Sequence, residues 1–231
     1  IEIWAAVLTG IAAGGLMGAL NGALIHCTGI NFFVLTLASG GMLRGISLMI
    51  TDGKPITKFG KAFMQLGIGR IGEFQFPVLF ALTLILLSSP LMFHVKWGNY
   101  VQALGGSETA LKRSGVRTGF YRISVHVFLG ITAAVTAVII TARLNSAEPN
   151  AGMNMELDAI TAVIMGGTPI RGGNASIAGT VLAVLILGII RNGLTLLSVS
   201  SDFQQWVTGF LLLASVLISE IRVWNTRALI K

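Results

Sequence analysis

Charge is what this chain has least of. Only 11% of its 231 residues are Asp, Glu, Lys or Arg, while 54% are hydrophobic and the mean hydropathy is +0.82. A soluble domain carries about a quarter charged residues, so this composition excludes a soluble fold and implies a polytopic membrane protein. Cysteine is nearly absent: the lone Cys27 excludes an intrachain disulfide and, lying in an apolar run, reads as inert packing. There is no GxxxxGKS or GxxxxGKT, hence no P-loop of the chain's own, and no HExxH. His26, His94 and His126 are scattered and suggest no metal site. No Ser-His-Asp set can be inferred, which leaves an enzyme function with little support. The chain begins at Ile1 rather than Met, so the sequence is expected to lack its true N-terminus. Ile1–Ile25 has no basic leading region and is long enough to span, which argues against a signal peptide.

What is present is a series of apolar segments, and an all-α fold follows from them. Seven can be read, at about 3–26, 31–50, 77–94, 123–143, 157–166, 176–198 and 203–221. A full crossing needs about 20 apolar residues, so 157–166 spans only together with the glycine-rich break that follows it, or else is re-entrant. The net charge of +7 is better read as basic cytoplasmic loops than as a nucleic-acid surface. Region 95–122 holds Lys96, Lys112, Arg113, Arg117 and Arg122 against Glu108 alone, and the tail holds Arg222, Arg227 and Lys231. Loop 144–156 has Glu148 and Glu156 but no Lys or Arg. The positive-inside rule then places 95–122 and the tail in the cytoplasm and 144–156 outside, with Ile1 outside. Loop 51–76 should also be outside, although Lys54, Lys58, Lys61 and Arg70 argue the other way.

Glycine is abundant and patterned. Gly10, Gly14, Gly18 and Gly22 recur every fourth residue, a stripe down one helix face that predicts close packing of a second helix. The stretch "ELDAITAVIMGGTPIRGGNASIAG" (156–179) begins as a helix, breaks at Gly166-Gly167, passes Pro169 and Arg171, and resumes after Gly172-Gly173. Proline disfavours helical geometry in the residue before it, and backbone that leaves the helix at membrane depth needs protein or a water-filled cavity around it. The expectation is a broken helical hairpin, serving either as a structural turn on the cytoplasmic side or as part of a substrate path. "GIGRIG" (67–72) matches a dinucleotide fingerprint without the βαβ context it needs, and "NAS" (174–176) lies in the glycine break, so neither is taken as a site.

Ionisable residues within apolar segments are costly in lipid and point to function by default. Arg44, Asp158 and Arg191 are such residues; each is read either as paired or snorkelled, or as part of a pathway. Asp158 also suits the first turn of a helix. Asn21 and Asn31 are read as interhelical hydrogen bonds or pathway lining. "SETALKRSG" after Gly105-Gly106 reads as a loop leading into a short helix, with Ser107 as N-cap and Glu108 in the first turn.

Four stretches together resemble the permease subunit of bacterial ABC importers for monosaccharides, the ribose, xylose and galactose group. They are "NGALIHCTGINFFVLTLASGGMLRGISLMITDGKPI" (21–56), "YVQALGGSETALKRSGV" (100–116), "TARLNSAEPNAGMNMELDAITAVIMGGTPIRGGNASIAGT" (141–180) and "GIIRNGLTLLSVSSDFQQWVTG" (188–209). Departures are Asn31-Phe32-Phe33 where the family has Pro-Pro-Phe, Ser107 where it has Asn, and the lack of family helices that precede the first one here. The resemblance implies a single transmembrane permease domain over 1–231, with 95–122 as its cytoplasmic ATPase-docking loop. It implies three kinds of partner: a second permease subunit, identical or not, a cytoplasmic ATPase that holds the ATP and Mg, and an extracytoplasmic sugar-binding protein. No cofactor or metal is implied for this chain. A substrate path is expected along Asn21, Asn31, Phe32, Phe33, Thr36, Gly166, Gly167 and Asn192, and an ATPase-docking surface at Gly105, Gly106, Ser107, Glu108, Ala110, Ser114 and Gly115. An ion- or proton-coupled secondary transporter and a membrane-embedded enzyme are the rival classes; the first would also use broken helices and intramembrane charge.

Overall fold

The computed structural model describes residues 3–170 and 172–228, without the side chains of 220 and 222–228. Ten helices lie in this range: α1 (Ile3–Thr28), α2 (Phe32–Thr51), α3 (Lys61–Ile68), α4 (Phe76–Phe93), α5 (Lys96–Gly106), α6 (Glu108–Arg113), α7 (Thr118–Leu144), α8 (Met155–Met165), α9 (Ile177–Leu196) and α10 (Ser201–Ala228). Four two-residue strands, β1 (Ile56–Thr57), β2 (Arg70–Ile71), β3 (Phe74–Gln75) and β4 (Ser146–Ala147), decorate the loops. The molecule is thus an all-α polytopic membrane protein, and α1, α2, α4, α7 and α9 are the five described helices long and apolar enough to cross. Large apolar side chains lie open along them, among them Leu8 at 68%, Leu86 at 72% and Ile189 at 71% exposure, as a lipid or partner-chain environment requires.

The chain falls into two compact units, 1–87 with 111–152, and 88–110 with 153–231. In the first unit α1 lies antiparallel along α7, and glycine makes the approach possible. A Cβ on Gly14 would stand 2.6 Å from the Gly130 carbonyl oxygen and from Ala134 Cβ, one on Gly18 2.8 Å from the carbonyl carbon of His126, and one on Gly22 2.8 Å from Ile123 Cα. A Cβ on Gly10, the fourth member of the stripe, would meet no atom of the described residues within 4 Å. Asn31 caps α2 by accepting a hydrogen bond from Phe33 N at 2.9 Å. Asp52, at φ 50°, and Gly53 then turn the chain out of that helix.

Residues 51–76, read as a plain loop, contain the amphipathic α3, which buries Phe63 and sets Gly67 against the backbone of Ala142 and Arg143 at the end of α7. Here β1 pairs with β4 antiparallel, Ile56 opposite Ala147 and Thr57 opposite Ser146. Loops 51–76 and 144–156 therefore share one side, despite the lysines of the first. Cys27 is exposed rather than packed. An apolar run gives burial only where a second helix lies over it, and α7 covers the glycine face of α1.

In the second unit α5 folds back on the end of α4. Gly98 sits against the Leu91 and Met92 carbonyls, and Gln102 donates to the Met92 carbonyl at 3.0 Å. Region 95–106, expected as loop, is thus helix, because its polar character suits a helix outside the apolar layer as well as it suits a coil. The helices α8 and α9 pack as a hairpin, and α10 packs on α8.

Candidate functional site

The hairpin turn is built by backbone. Gly166 ends α8, and Gly167 follows at φ 94°, a conformation that only glycine adopts cheaply. Thr168 N donates to the Val163 carbonyl at 3.2 Å, and Gly172 N to the Pro169 carbonyl at 2.9 Å. Across the turn, Ser176 N donates to Thr168 Oγ1 at 3.2 Å, and Ser176 Oγ then caps α9 by accepting from Gly179 N at 3.3 Å. The neck is narrow: a Cβ on Gly166 would stand 2.6 Å from the Gly179 carbonyl carbon. Arg171 lies outside the described residues. Thr168, Gly172 and Ser176 thus find hydrogen-bond partners within the turn itself.

The tip of this turn rests on the end of α5. A Cβ on Gly105 would lie 2.5 Å from Gly173 N, and one on Gly172 3.0 Å from Gly105 Cα. Both Gly172 and Gly173 have positive φ, 78° and 92°. Two glycine pairs read as separate features of the sequence are thus one backbone-to-backbone contact. Next to it, Ser107 Oγ accepts from Ala110 N at 3.3 Å and caps α6, whose first turn carries Glu108 and whose last turn carries Lys112 and Arg113. That arrangement suits the helix dipole at both ends. Gly105, Gly106, Ser107, Ala110, Ser114 and Gly115 are exposed, and Glu108 is half-buried.

At its other end the hairpin carries an ion pair. Arg191 of α9 meets Asp158 of α8 through two contacts, Nη1 to Oδ2 at 2.8 Å and Nη2 to Oδ1 at 2.9 Å. Arg191 Nη2 also approaches Thr208 Oγ1 of α10 at 3.5 Å. Gln204, one turn before Thr208, donates to the Val199 carbonyl at 3.0 Å and lies 3.4 Å from Thr195 Oγ1. A cavity of about 310 Å³ lies among α8, α9 and α10, and one of about 440 Å³ adjoins it; Met155, Asp158, Arg191, Gln204 and Thr208 line both. The sequence marks Asp158 and Arg191 singly and misses both their pairing and the nearness of Gln204 and Thr208. A lone acid and a lone base in neighbouring apolar segments, with two polar residues spaced i, i+4 on the next, is the signal that could have found the set.

The remaining residues of the expected path stand as follows. Asn21 and Thr36 are half-buried, Asn31 is engaged as the α2 cap, and Phe32 and Phe33 are 50% and 40% exposed. These five belong to the first unit, while Gly166, Gly167 and Asn192 belong to the second. Among the described residues no group of His, Cys, Asp and Glu could hold a metal ion.

A multi-helix membrane protein whose polar groups gather at a broken hairpin has the build of a transport subunit. The family described as branched-chain amino acid transport system / permease component matches residues 1–216, and the chain belongs to it: the multi-pass permeases of bacterial ABC importers, inner-membrane subunits that are not themselves enzymes. Its relatives include the ribose import permease protein RbsC of Escherichia coli (strain K12), 37% identical over 92% of this chain and 68% of that protein. The D-allose transport system permease protein AlsC of the same strain is 36% identical over 94% and 67%, and its L-arabinose transport system permease protein AraH is 30% identical over 96% and 67%. No solved structure matches the chain. Permeases of this kind work with ATPase and binding-protein partners.

Proposed function

We propose that this chain forms part of the membrane path of an ATP-driven monosaccharide importer, taking a sugar of the kind for which its relatives are named: ribose, allose or arabinose. A second permease subunit completes the path, an extracytoplasmic binding protein delivers the sugar, and a cytoplasmic ATPase holding ATP and Mg docks on Gly105–Gly115. Seven helices cross or enter the bilayer, the five long spans together with α10 and the α8 half of the hairpin, and the 166–176 turn lies at the cytoplasmic side.

One observation carries this reading, the glycine contact between the end of α5 and the hairpin tip. It gives the docking segment a direct mechanical connection to a transmembrane hairpin. A bistable path can be driven from the cytoplasm only if something rigid joins the driver to the moving element. Asn21, Asn31, Phe32, Phe33, Thr36, Gly166, Gly167 and Asn192 are proposed to line the path. The test is reconstitution of the affinity-purified permease with a cognate ATPase and a cognate sugar-binding protein. ATP-dependent uptake of radiolabelled ribose, allose or arabinose is expected. Uptake driven by an ion gradient without the ATPase would replace the proposal with a secondary transporter.

A further inference from the structure

The Asp158–Arg191 pair is more open than a structural clamp needs to be. The side chain of Arg191 is 52% exposed and that of Asp158 25% exposed. A half-open ion pair is too costly against hydrocarbon, so this face meets water or protein. A guanidinium has five N–H donors and a carboxylate about four acceptor sites, and the two contacts between the partners use only part of that capacity. Gln204 and Thr208 add an amide and a hydroxyl beside them, while Leu187, Val207 and Leu211 line the adjoining wall. The combined space falls within the usual range for small-molecule sites, about 300–1,000 Å³.

Charge and composition select the ligand class. The pair is formally neutral, so an ion gains little there. A neutral polyol, in contrast, can donate to the carboxylate and accept from the guanidinium through adjacent hydroxyls, with its C–H face on the aliphatic wall. Among the described residues no aromatic side chain lines either cavity, so those residues offer no stacking platform to hold a sugar tightly. Weak binding is what a transit site needs, because a solute must leave as readily as it enters. Position selects the role. Asp158 is three residues into α8 and Arg191 five residues before the end of α9, at the end of the hairpin opposite the Gly105–Gly173 contact.

We propose that the cleft around Asp158, Arg191, Gln204 and Thr208 is a low-affinity polyol station at the extracytoplasmic mouth of the path, where sugar released by the binding protein is first held. This rests on the importer reading and specifies a site within it. The test uses the reconstituted complex with the sugar that the wild type takes up, comparing Gln204→Ala, Thr208→Val, Asp158→Asn and the exchanged pair Asp158→Arg/Arg191→Asp. Loss of one or two hydrogen bonds to the passing sugar should lower the maximal uptake rate of the Gln204 and Thr208 variants by about three- to tenfold at matched amounts of assembled complex. The exchanged pair should recover the thermal stability lost in Asp158→Asn but not its uptake. Wild-type uptake by the exchanged pair would reduce Asp158 and Arg191 to a clamp, and wild-type uptake by Gln204→Ala and Thr208→Val would remove the station; either overturns the proposal. Absence of ATP-dependent uptake by the wild type itself would instead overturn the importer reading, and the station with it.

Discussion

At the scale of single residues, Gly105 and Gly106 give a matched comparison. A Cβ on Gly105 would press on Gly173 N at 2.5 Å, whereas one on Gly106 meets nothing closer than Gly173 Cα at 3.9 Å. Gly105→Ala should therefore lower coupled uptake several-fold while Gly106→Ala is tolerated; Gly106→Trp should fail, because its ring would stand on the exposed surface where the ATPase is proposed to dock. Equal uptake by the two alanine variants at matched protein levels would show that the contact transmits nothing. At Gly173 the backbone adds a second penalty to the contact, and at Gly167, where an added Cβ meets nothing within 4 Å among the described residues, it is the sole one. At φ 92° and 94° a β-branched residue is strained, by about 1–3 kcal/mol. Gly173→Val and Gly167→Val should lower the melting temperature of the detergent-purified protein as well as its uptake.

At the scale of elements, the α1–α7 pair depends on glycines of both helices, Gly14, Gly18 and Gly22 of α1 and Gly130 of α7. Overpacking a close-packed contact costs about 1–3 kcal/mol, and at Gly18 the added atoms would run into the backbone of His126 and Val127, which has no rotamer to yield. Gly18→Leu and Gly14→Leu should destabilise the helix pair by at least this amount, read as early thermal unfolding or loss of assembled complex. Leu16→Ala and Leu20→Ala, at exposed positions of the same helix, should be mild. Gly10→Leu should resemble these controls, since among the described residues nothing lies within 4 Å of a Cβ on Gly10. A Gly10 variant as damaging as the Gly18 variant would point to a contact from another subunit.

At the scale of the whole molecule the prediction is sidedness. The Cys27 thiol is exposed, so labelling needs a Cys27→Ala background. In intact cells an impermeant thiol reagent should reach Lys54→Cys and Asn150→Cys, and it should reach Ser107→Cys only after permeabilisation. Lys54 and Asn150 must behave alike, because the β1–β4 pairing puts their loops on one side. Labelling of Ser107→Cys but not Asn150→Cys in intact cells would invert the topology, and with it the side assigned to the Asp158–Arg191 cleft.

Much of this architecture is legible in the sequence. Runs of about twenty apolar residues can do little other than span as helices, and each of the seven apolar segments corresponds to a helix, α1, α2, α4, α7, α8, α9 or α10. The break at 166–176 was readable because glycine and proline act locally on backbone geometry. The Ser107 cap was readable because capping involves residues three apart. The four-residue glycine spacing announced a close helix contact without naming the partner, and α7 was beyond reach because its facing residues, Ile123, His126 and Gly130, carry no matching stripe of their own.

What only the tertiary structure decided are the contacts between segments distant along the chain. Asp158 and Arg191 are 33 positions apart, and whether two such charges meet depends on how α8 and α9 turn about their axes. The same holds for Gly105 against Gly173 and for Ile56 against Ala147. The sequence by itself determined that this is a multi-helix membrane protein with a broken hairpin, because hydrophobic length and backbone permissiveness are properties of contiguous residues. Which groups share the cleft and which turn rests on the docking segment were set by helix packing, where side-chain volumes from several segments must fit at once and no single stretch of sequence holds the answer.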